Sequence, residues 1–145
     1  MSSGNDMTVF LIDDDDVACE AMERGLNKYD IHFDLITAQD GIEALQVLRH
    51  QHPEKKLEQP FVILLDLNMP RMNGFEFLEA LRTDPKLSAN VVFILTTSND
   101  DKDRMRAYSK QIAGYIVKSR TGPQFRKLTN LLTDYRDAVT LPKVL

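Results

Sequence analysis

Cys19 is the only cysteine in the chain, so no internal disulfide can form. That fits a reducing compartment. Long apolar runs are also missing. The run at residues 61–65, which no other exceeds, is the length of a strand and far short of the ~20 residues that cross a bilayer. Residues 1–6 are polar and acidic and lack the basic start and apolar stretch of a secretory signal. A cytoplasmic protein with no membrane partner is expected. Positive charge is scarce as well: 18 Lys and Arg face 22 Asp and Glu, a formal net charge of −4. A nucleic-acid partner would require a basic face. The densest basic stretch, residues 102–110, contains Asp103 and follows Asp100 and Asp101, the pattern of a solvated helix face. No nucleic-acid partner is expected.

There is no internal repeat, low-complexity segment or linker to a second domain. The 145 residues, 43% of them hydrophobic, suffice for one domain with its own core. The expected organisation is a folded domain over residues 8–138, a disordered N-terminus over 1–7 and a C-terminal tail over 139–145.

Five short apolar runs read as strands: residues 9–12, 34–37, 61–65, 91–95 and 114–117. Three are nearly continuous Val, Ile, Leu and Phe, as in strands covered on both faces, while the second alternates and suits an edge. Between them the period becomes helical. Ala18, Ala21, Met22, Gly25, Leu26 and Tyr29 form one stripe. Ile42, Leu45 and Leu48 form a second, and Phe75, Leu78 and Leu81 a third. Met105, Tyr108 and Ile112 form a weaker fourth, and Phe125, Leu128, Leu131, Leu132 and Tyr135 a fifth. This βαβαβαβαβα order implies an α/β domain, a doubly wound parallel sheet with helices on both faces. Such sheets bind ligands beyond the carboxyl ends of their strands.

That rim has a definite chemical character. The first strand ends in the run Asp13, Asp14, Asp15 and Asp16, and the third ends in Asp66. The fourth ends in Thr96, Thr97 and Ser98, and the fifth in Lys118. Acids in a row commonly serve a helix N-terminus, which suits Asp15 and Asp16. Asp66 follows five apolar residues, and its burial would be costly without a cation or donors. Thr96 or Lys118 alone would be an ordinary structural residue. Together at one end of a sheet, they suit phosphoryl transfer to a carboxylate. An Asp can form an aspartyl phosphate, carboxylates and a carbonyl suit Mg²⁺, and Lys and Thr can bind the remaining phosphoryl oxygens.

Four segments carry a family resemblance: VFLIDDD at 9–15, FVILLDLNMPRMNG at 61–74, FILTTS at 93–98 and GYIVK at 114–118. In this order and spacing they resemble the CheY-like receiver domains of two-component response regulators. The resemblance implies a flavodoxin-like (βα)5 fold with strand order 2-1-3-4-5. It implies Asp66 as phosphoacceptor. Mg²⁺ would be held by Asp14, by Asp13 directly or through water, by Asp66 and by the backbone carbonyl of Asn68, with the register of the Asp run open by one. Thr96 would contact the phosphoryl group and move with it, Lys118 would bridge Asp66 and a phosphoryl oxygen, and Tyr115 would be the aromatic that swings inward with Thr96. Asn68 and Ser98 would flank the phosphoryl group and tune its hydrolysis.

Two departures stand out. The family usually follows its lysine with proline, often through a cis peptide, whereas Ser119 stands here. A cis bond before a non-proline residue costs ~3 kcal/mol and is disfavoured. Residues 50–60 also lengthen the approach to the third strand. His50 and His52 within them share no helix face and read as loop residues, not metal ligands.

The residues after Lys118 are mostly taken by the fifth helix, so no output domain is expected. The resemblance implies a stand-alone regulator phosphorylated by a sensor histidine kinase or a histidine phosphotransfer protein. It would signal to an unidentified protein through its fourth helix, fifth strand and fifth helix. SNDDKDR at 98–104 with GYIVKS at 114–119 is similar to single-domain regulators beside sensor kinases, some of them phytochrome-linked. Val139, Leu141, Val144 and Leu145 would suit packing on a partner or in a homodimer, although a frayed tail is the plainer expectation. Two rivals remain. One is a receiver-like adaptor that needs no phosphorylation. The other is a haloacid-dehalogenase-type phosphohydrolase, which needs an acid where Asn68 stands.

Overall fold

The computed structural model describes residues 7–28 and 33–143. The expected N-terminal segment lies outside them apart from Met7, as do Tyr29 and the tail residues Val144 and Leu145. The elements are β1 (Met7–Ile12), α1 (Asp16–Lys28), β2 (Phe33–Ala38), α2 (Gly41–Leu48), β3 (Phe61–Leu65), α3 (Gly74–Thr83), β4 (Val92–Thr96), α4 (Asp101–Tyr108), β5 (Gly114–Val117) and α5 (Arg126–Ala138). Two short 3₁₀ turns, Lys118–Arg120 and Pro123–Phe125, join β5 to α5.

The strands form one parallel sheet in the order β2-β1-β3-β4-β5, the expected topology. Successive strand residues point to opposite faces, which explains why the central runs are apolar throughout. Phe10, Ile12, Ile63 and Leu65 pack with Leu45, Leu48, Leu78 and Leu81 of α2 and α3. Val9, Leu11, Val62 and Leu64 pack on the other face with Met22 and Leu26 of α1 and Leu128 and Leu132 of α5. Strand β2 lies at an edge, which accounts for its exposed Asp34.

The helical stripes need three corrections. Ile42 is exposed, because α2 turns Gly41, Ala44, Leu45, Val47 and Leu48 inward instead. Leu131 is also exposed; α5 buries Leu128, Thr129 and Leu132. The largest change is in α4. Met105 is 71% exposed and Tyr108 49%, and the helix buries only Ala107. Ile112, which shared the expected stripe, is buried beyond the end of the helix.

Loop anchors complete the frame. His52 Nδ1 accepts the backbone N–H groups of Glu54 and Lys55 at 3.1 and 3.0 Å. The proton therefore sits on Nε2, 3.1 Å from Glu43 Oε2. This clips the 50–60 insertion onto α2. At the far end of α3, Arg82 donates to four carbonyls: Lys110 at 2.8 Å, Ser88 at 2.8 Å, Asn90 at 2.8 Å and Gln111 at 3.0 Å. It thereby ties α3 to the loop entering β4 and to the loop leaving α4. Arg82→Ala is expected to cost about 2–4 kcal/mol, since charged donors are lost and partly buried acceptors stranded. Arg82→Lys should recover little, because an ammonium cannot reproduce the guanidinium fork. Urea melts of the three proteins check this.

Among the described residues, no helix is long and apolar enough to cross a membrane. Leu141 packs against the core shared with α1 and α5, while Val139 is exposed.

Candidate functional site

The strand register sets the site. Ile12 lies beside Ala38 and Leu65, and Leu65 beside Ile94. Asp13 and Asp66 therefore leave the sheet side by side. Asp13 N donates to Ala38 O and Asp66 N to Ile12 O, each at 2.9 Å. Both carboxylates are buried.

The backbone sorts the acidic run. Asp13 Oδ1 accepts Asp15 N at 2.9 Å, and Asp13 Oδ2 accepts Lys118 Nζ at 2.7 Å. Asp14 is exposed at the mouth. Asp15 turns to the start of α1, where it accepts Val17 N at 3.0 Å, and Asp16 occupies the first turn of that helix. Asp13, Asp14 and Asp66 each place an oxygen within 4.8 Å of the others.

Burial first, and then the Asp13 carboxylate, push the Asp66 carboxyl up to about 6. Lys118, the Asn68 N–H and the Thr96 hydroxyl hold it down in part. The Asn68 contact is long, at 3.4 Å. Burial works against the Lys118 ammonium, yet the contact with Asp13 and the charges of Asp66 and Asp15 raise it above its usual range. Lys118 thus remains charged. Its hydrogen-bond partner is Asp13, and it acts on Asp66 through its charge.

Thr96 ends β4 and is fully buried. Its hydroxyl helps hold the Asp66 carboxyl down, and its Oγ1 accepts Ser98 N at 3.4 Å. Ser98 in turn bonds in two directions. Its hydroxyl donates to Asp103 Oδ2 at 2.8 Å, and its carbonyl accepts the Tyr115 hydroxyl at 3.0 Å. Burial raises the Tyr115 phenol above its usual range, so it stays a donor. Thr96, Ser98 and Tyr115 therefore form one connected path from the acid cluster to the β5 surface.

Other residues at this end were not apparent as site residues. Arg71 Nε donates to the buried Asp40 carboxylate at 2.7 Å, and Gly41 N donates to Met72 O at 3.2 Å. These contacts dock the loop after Asp66 on the start of α2. Asp40 also caps α2 by accepting Glu43 N at 2.9 Å. A helix-cap pattern is readable in sequence, but the pairing with Arg71 is not. The Cys19 thiol lies 3.8 Å from Asp13 O. Burial, followed by Asp13, Asp16 and Asp15, pushes it up to about 11, so it stays a thiol.

The donor set suits a hard divalent cation: three carboxylates, all oxygen, with no sulfur or imidazole among them. Such a cation would offset the repulsion between Asp13 and Asp66.

The chain also has counterparts among known proteins. The family model described as the response regulator receiver domain matches residues 9–130. Response regulator Rcp1 of Synechocystis sp. is 30% identical over 135 residues, covering 92% of each chain. The crystal structure of its Mn²⁺-bound form superposes with a TM-score of 0.80 at 29% identity, over 94% of this chain and 99% of that one. The phosphorylated cyanobacterial phytochrome response regulator RcpA gives a TM-score of 0.81 at 28% identity, over 94% and 98%. With its strand order, its acid cluster and these relatives in agreement, the chain belongs to the response regulator receiver domain family of two-component signalling proteins.

Proposed function

We propose that residues 8–138 form a stand-alone, cytoplasmic phosphorylation switch with Asp66 as its phosphoacceptor. The observation that carries this reading is a buried carboxylate beside Asp13, Asp14, Thr96 and Lys118. An Asp66 oxygen attacks phosphorus, the N–P bond of a phosphohistidine breaks, and the imidazole leaves. Asp14, Asp13, Asp66 and the Asn68 carbonyl would hold Mg²⁺. When bound, the ion neutralises charge on the phosphoryl oxygens. Lys118 and Thr96 donate to the remaining oxygens.

The phosphoryl group carries roughly −1.5 to −2 charge where the Asp66 carboxylate carried one, and places it on three acceptor oxygens at the rim. Thr96 then turns its hydroxyl to the phosphoryl group. Ser98 follows on the same strand end, and its carbonyl releases the Tyr115 hydroxyl. The surface of α4, β5 and α5, which includes the exposed Met105 and Tyr108, changes with it. A partner reads that face. The protein is a stoichiometric acceptor with slow self-hydrolysis, not a turnover enzyme.

The donor is a sensor histidine kinase or a histidine phosphotransfer protein. The likeness to RcpA, a phytochrome response regulator, favours a phytochrome-linked kinase. The test is transfer of labelled phosphate from such an autophosphorylated kinase. Label should move to this chain with Mg²⁺ and stay on the kinase in EDTA. Retention of label on every kinase tried, with the chain equally resistant to small acyl phosphates, would favour the adaptor reading.

Lys118→Ala is expected to slow acyl-phosphate labelling about 100-fold, the scale of losing one charge-stabilising donor. Mg²⁺ should bind no more weakly, because a competing cation is gone from Asp13. Labelling rates and calorimetric titration with Mg²⁺ separate the two effects.

A further inference from the structure

Lys118 lies next to Ser119, where the family usually has proline, yet its ammonium stands 2.7 Å from Asp13 Oδ2. Lys118–Ser119 is a trans peptide; the cis bond among the described residues is Gln59–Pro60. Some other feature must hold the backbone that carries the lysine.

Strand β5 ends at Val117, and the chain turns at once into the 3₁₀ turn Lys118–Arg120. The Lys118 carbonyl accepts two hydrogen bonds from one residue: Thr121 Oγ1 donates at 2.7 Å and Thr121 N at 3.3 Å. Thr121 is 3% exposed. Its own carbonyl accepts Lys127 N at 2.9 Å, which ties the turn to the first turn of α5. Its β-branch restricts χ1, so the hydroxyl has few other directions in which to point. The hydroxyl's hydrogen-bond partner is the Lys118 carbonyl, not a group of the acid cluster. Any effect of Thr121 on the chemistry must therefore pass through Lys118.

We infer that Thr121 is a positioning residue for phosphorylation: it clamps the Lys118 backbone and so fixes the ammonium against the acid cluster, in place of the ring constraint that proline would supply. This rests on the proposed role of Lys118 in labelling Asp66. The clamp belongs to the turn rather than to the cation ligands. Losing it should therefore not weaken Mg²⁺ binding, while the rate of phosphoryl transfer should fall.

The test compares wild type, Thr121→Val, Thr121→Ser, Lys118→Ala and the double variant Lys118→Ala/Thr121→Val. Each is labelled with acetyl phosphate at saturating Mg²⁺, and the rate is read by intact mass. Calorimetry gives Mg²⁺ affinity, and thermal melts confirm the fold. Thr121→Val should label about tenfold more slowly, the scale of one lost neutral hydrogen bond, with Mg²⁺ bound no more weakly. Thr121→Ser keeps the donor and should label at the wild-type rate. In the Lys118→Ala background, Thr121→Val should cause no further slowing, the non-additivity of two residues that act as one unit. If Thr121→Val fails to fold, Thr121→Ala carries the same prediction without the added methyl.

The inference is overturned if folded Thr121→Val labels at the wild-type rate, or slows by the same factor without Lys118. Either result leaves the role of Lys118 standing. If Lys118→Ala itself labels at the wild-type rate, or wild type is not labelled at all, the functional reading falls and this inference falls with it.

Discussion

Gly74→Ala is expected to cost about 2–4 kcal/mol and to slow labelling of Asp66 at least tenfold. A Cβ at Gly74 would lie 2.5 Å from the carbonyl oxygen of Asp66 and 2.7 Å from the Cα of Leu67. Both are backbone atoms and cannot rotate away. Gly74 also opens α3 behind an Asn73–Glu76 capping box, and its N–H donates to Leu67 O at 3.0 Å. The helix start is thus held on both sides. One of two things must give. If α3 shifts outward, the packing of Phe77, Leu78 and Leu81 suffers; all three are fully buried. If the Asp66–Leu67 backbone shifts, the phosphoacceptor leaves its place beside Asp13. Gly41→Ala is the control. There a Cβ meets the Met72 side chain, 2.6 Å from Cγ and Sδ, and a flexible thioether can move. Urea melts and labelling rates of the two variants should rank Gly74→Ala as much the more damaging. Equal effects would contradict this account of the loop.

Asp66→Asn should stabilise the protein without divalent cations, most clearly near neutral pH. The unfolded chain ionises Asp66 near 3.8, and the folded chain near 6. Between those values the unfolded state binds fewer protons. The contribution of Asp66 to wild-type stability is therefore full below about 4 and is lost as pH rises through about 6. Asparagine carries no such loss. The expected gain at pH 7.5 is about 1–2 kcal/mol, discounted from the full shift because solvent reaches the rim. Mg²⁺ should reverse the ranking, since a ligand that binds only the folded state stabilises it. Wild type should gain markedly with the cation and Asp66→Asn little. Melts at pH 4.5 and 7.5, in EDTA and in Mg²⁺, check both signs. A wild type more stable than Asp66→Asn in EDTA at pH 7.5 would contradict the electrostatic picture.

Much of this frame was readable in the sequence because the central strands are buried on both faces. Phe10 and Ile12 serve one core and Val9 and Leu11 the other, so no polar residue interrupts the run. The run stops at the carboxyl ends of the strands, which is why Asp13, Asp66, Thr96 and Lys118 could be placed at one rim. The sorting of the Asp run was less accessible. It depends on where β1 ends and on which carboxylates turn back to the start of α1. Helix α4 was misread because its one buried residue is alanine, which gives little periodic signal, while the more apolar Met105 and Tyr108 face outward. Long-range polar contacts leave no local pattern. Arg71 and Asp40 are 31 residues apart, and Arg82 looks in sequence like any surface cation, although it binds four carbonyls. Thr121 matters for its geometry toward Lys118, which no spacing rule reveals.

The most direct test of the central claim is intact mass after incubation with acetyl phosphate and Mg²⁺, followed by peptide mapping, for wild type and Asp66→Asn. The account predicts a single phosphoryl adduct on Asp66 in wild type, absent in EDTA and absent in Asp66→Asn. An adduct that persists in Asp66→Asn, or a folded wild type that binds Mg²⁺ yet takes no phosphoryl group, would contradict it.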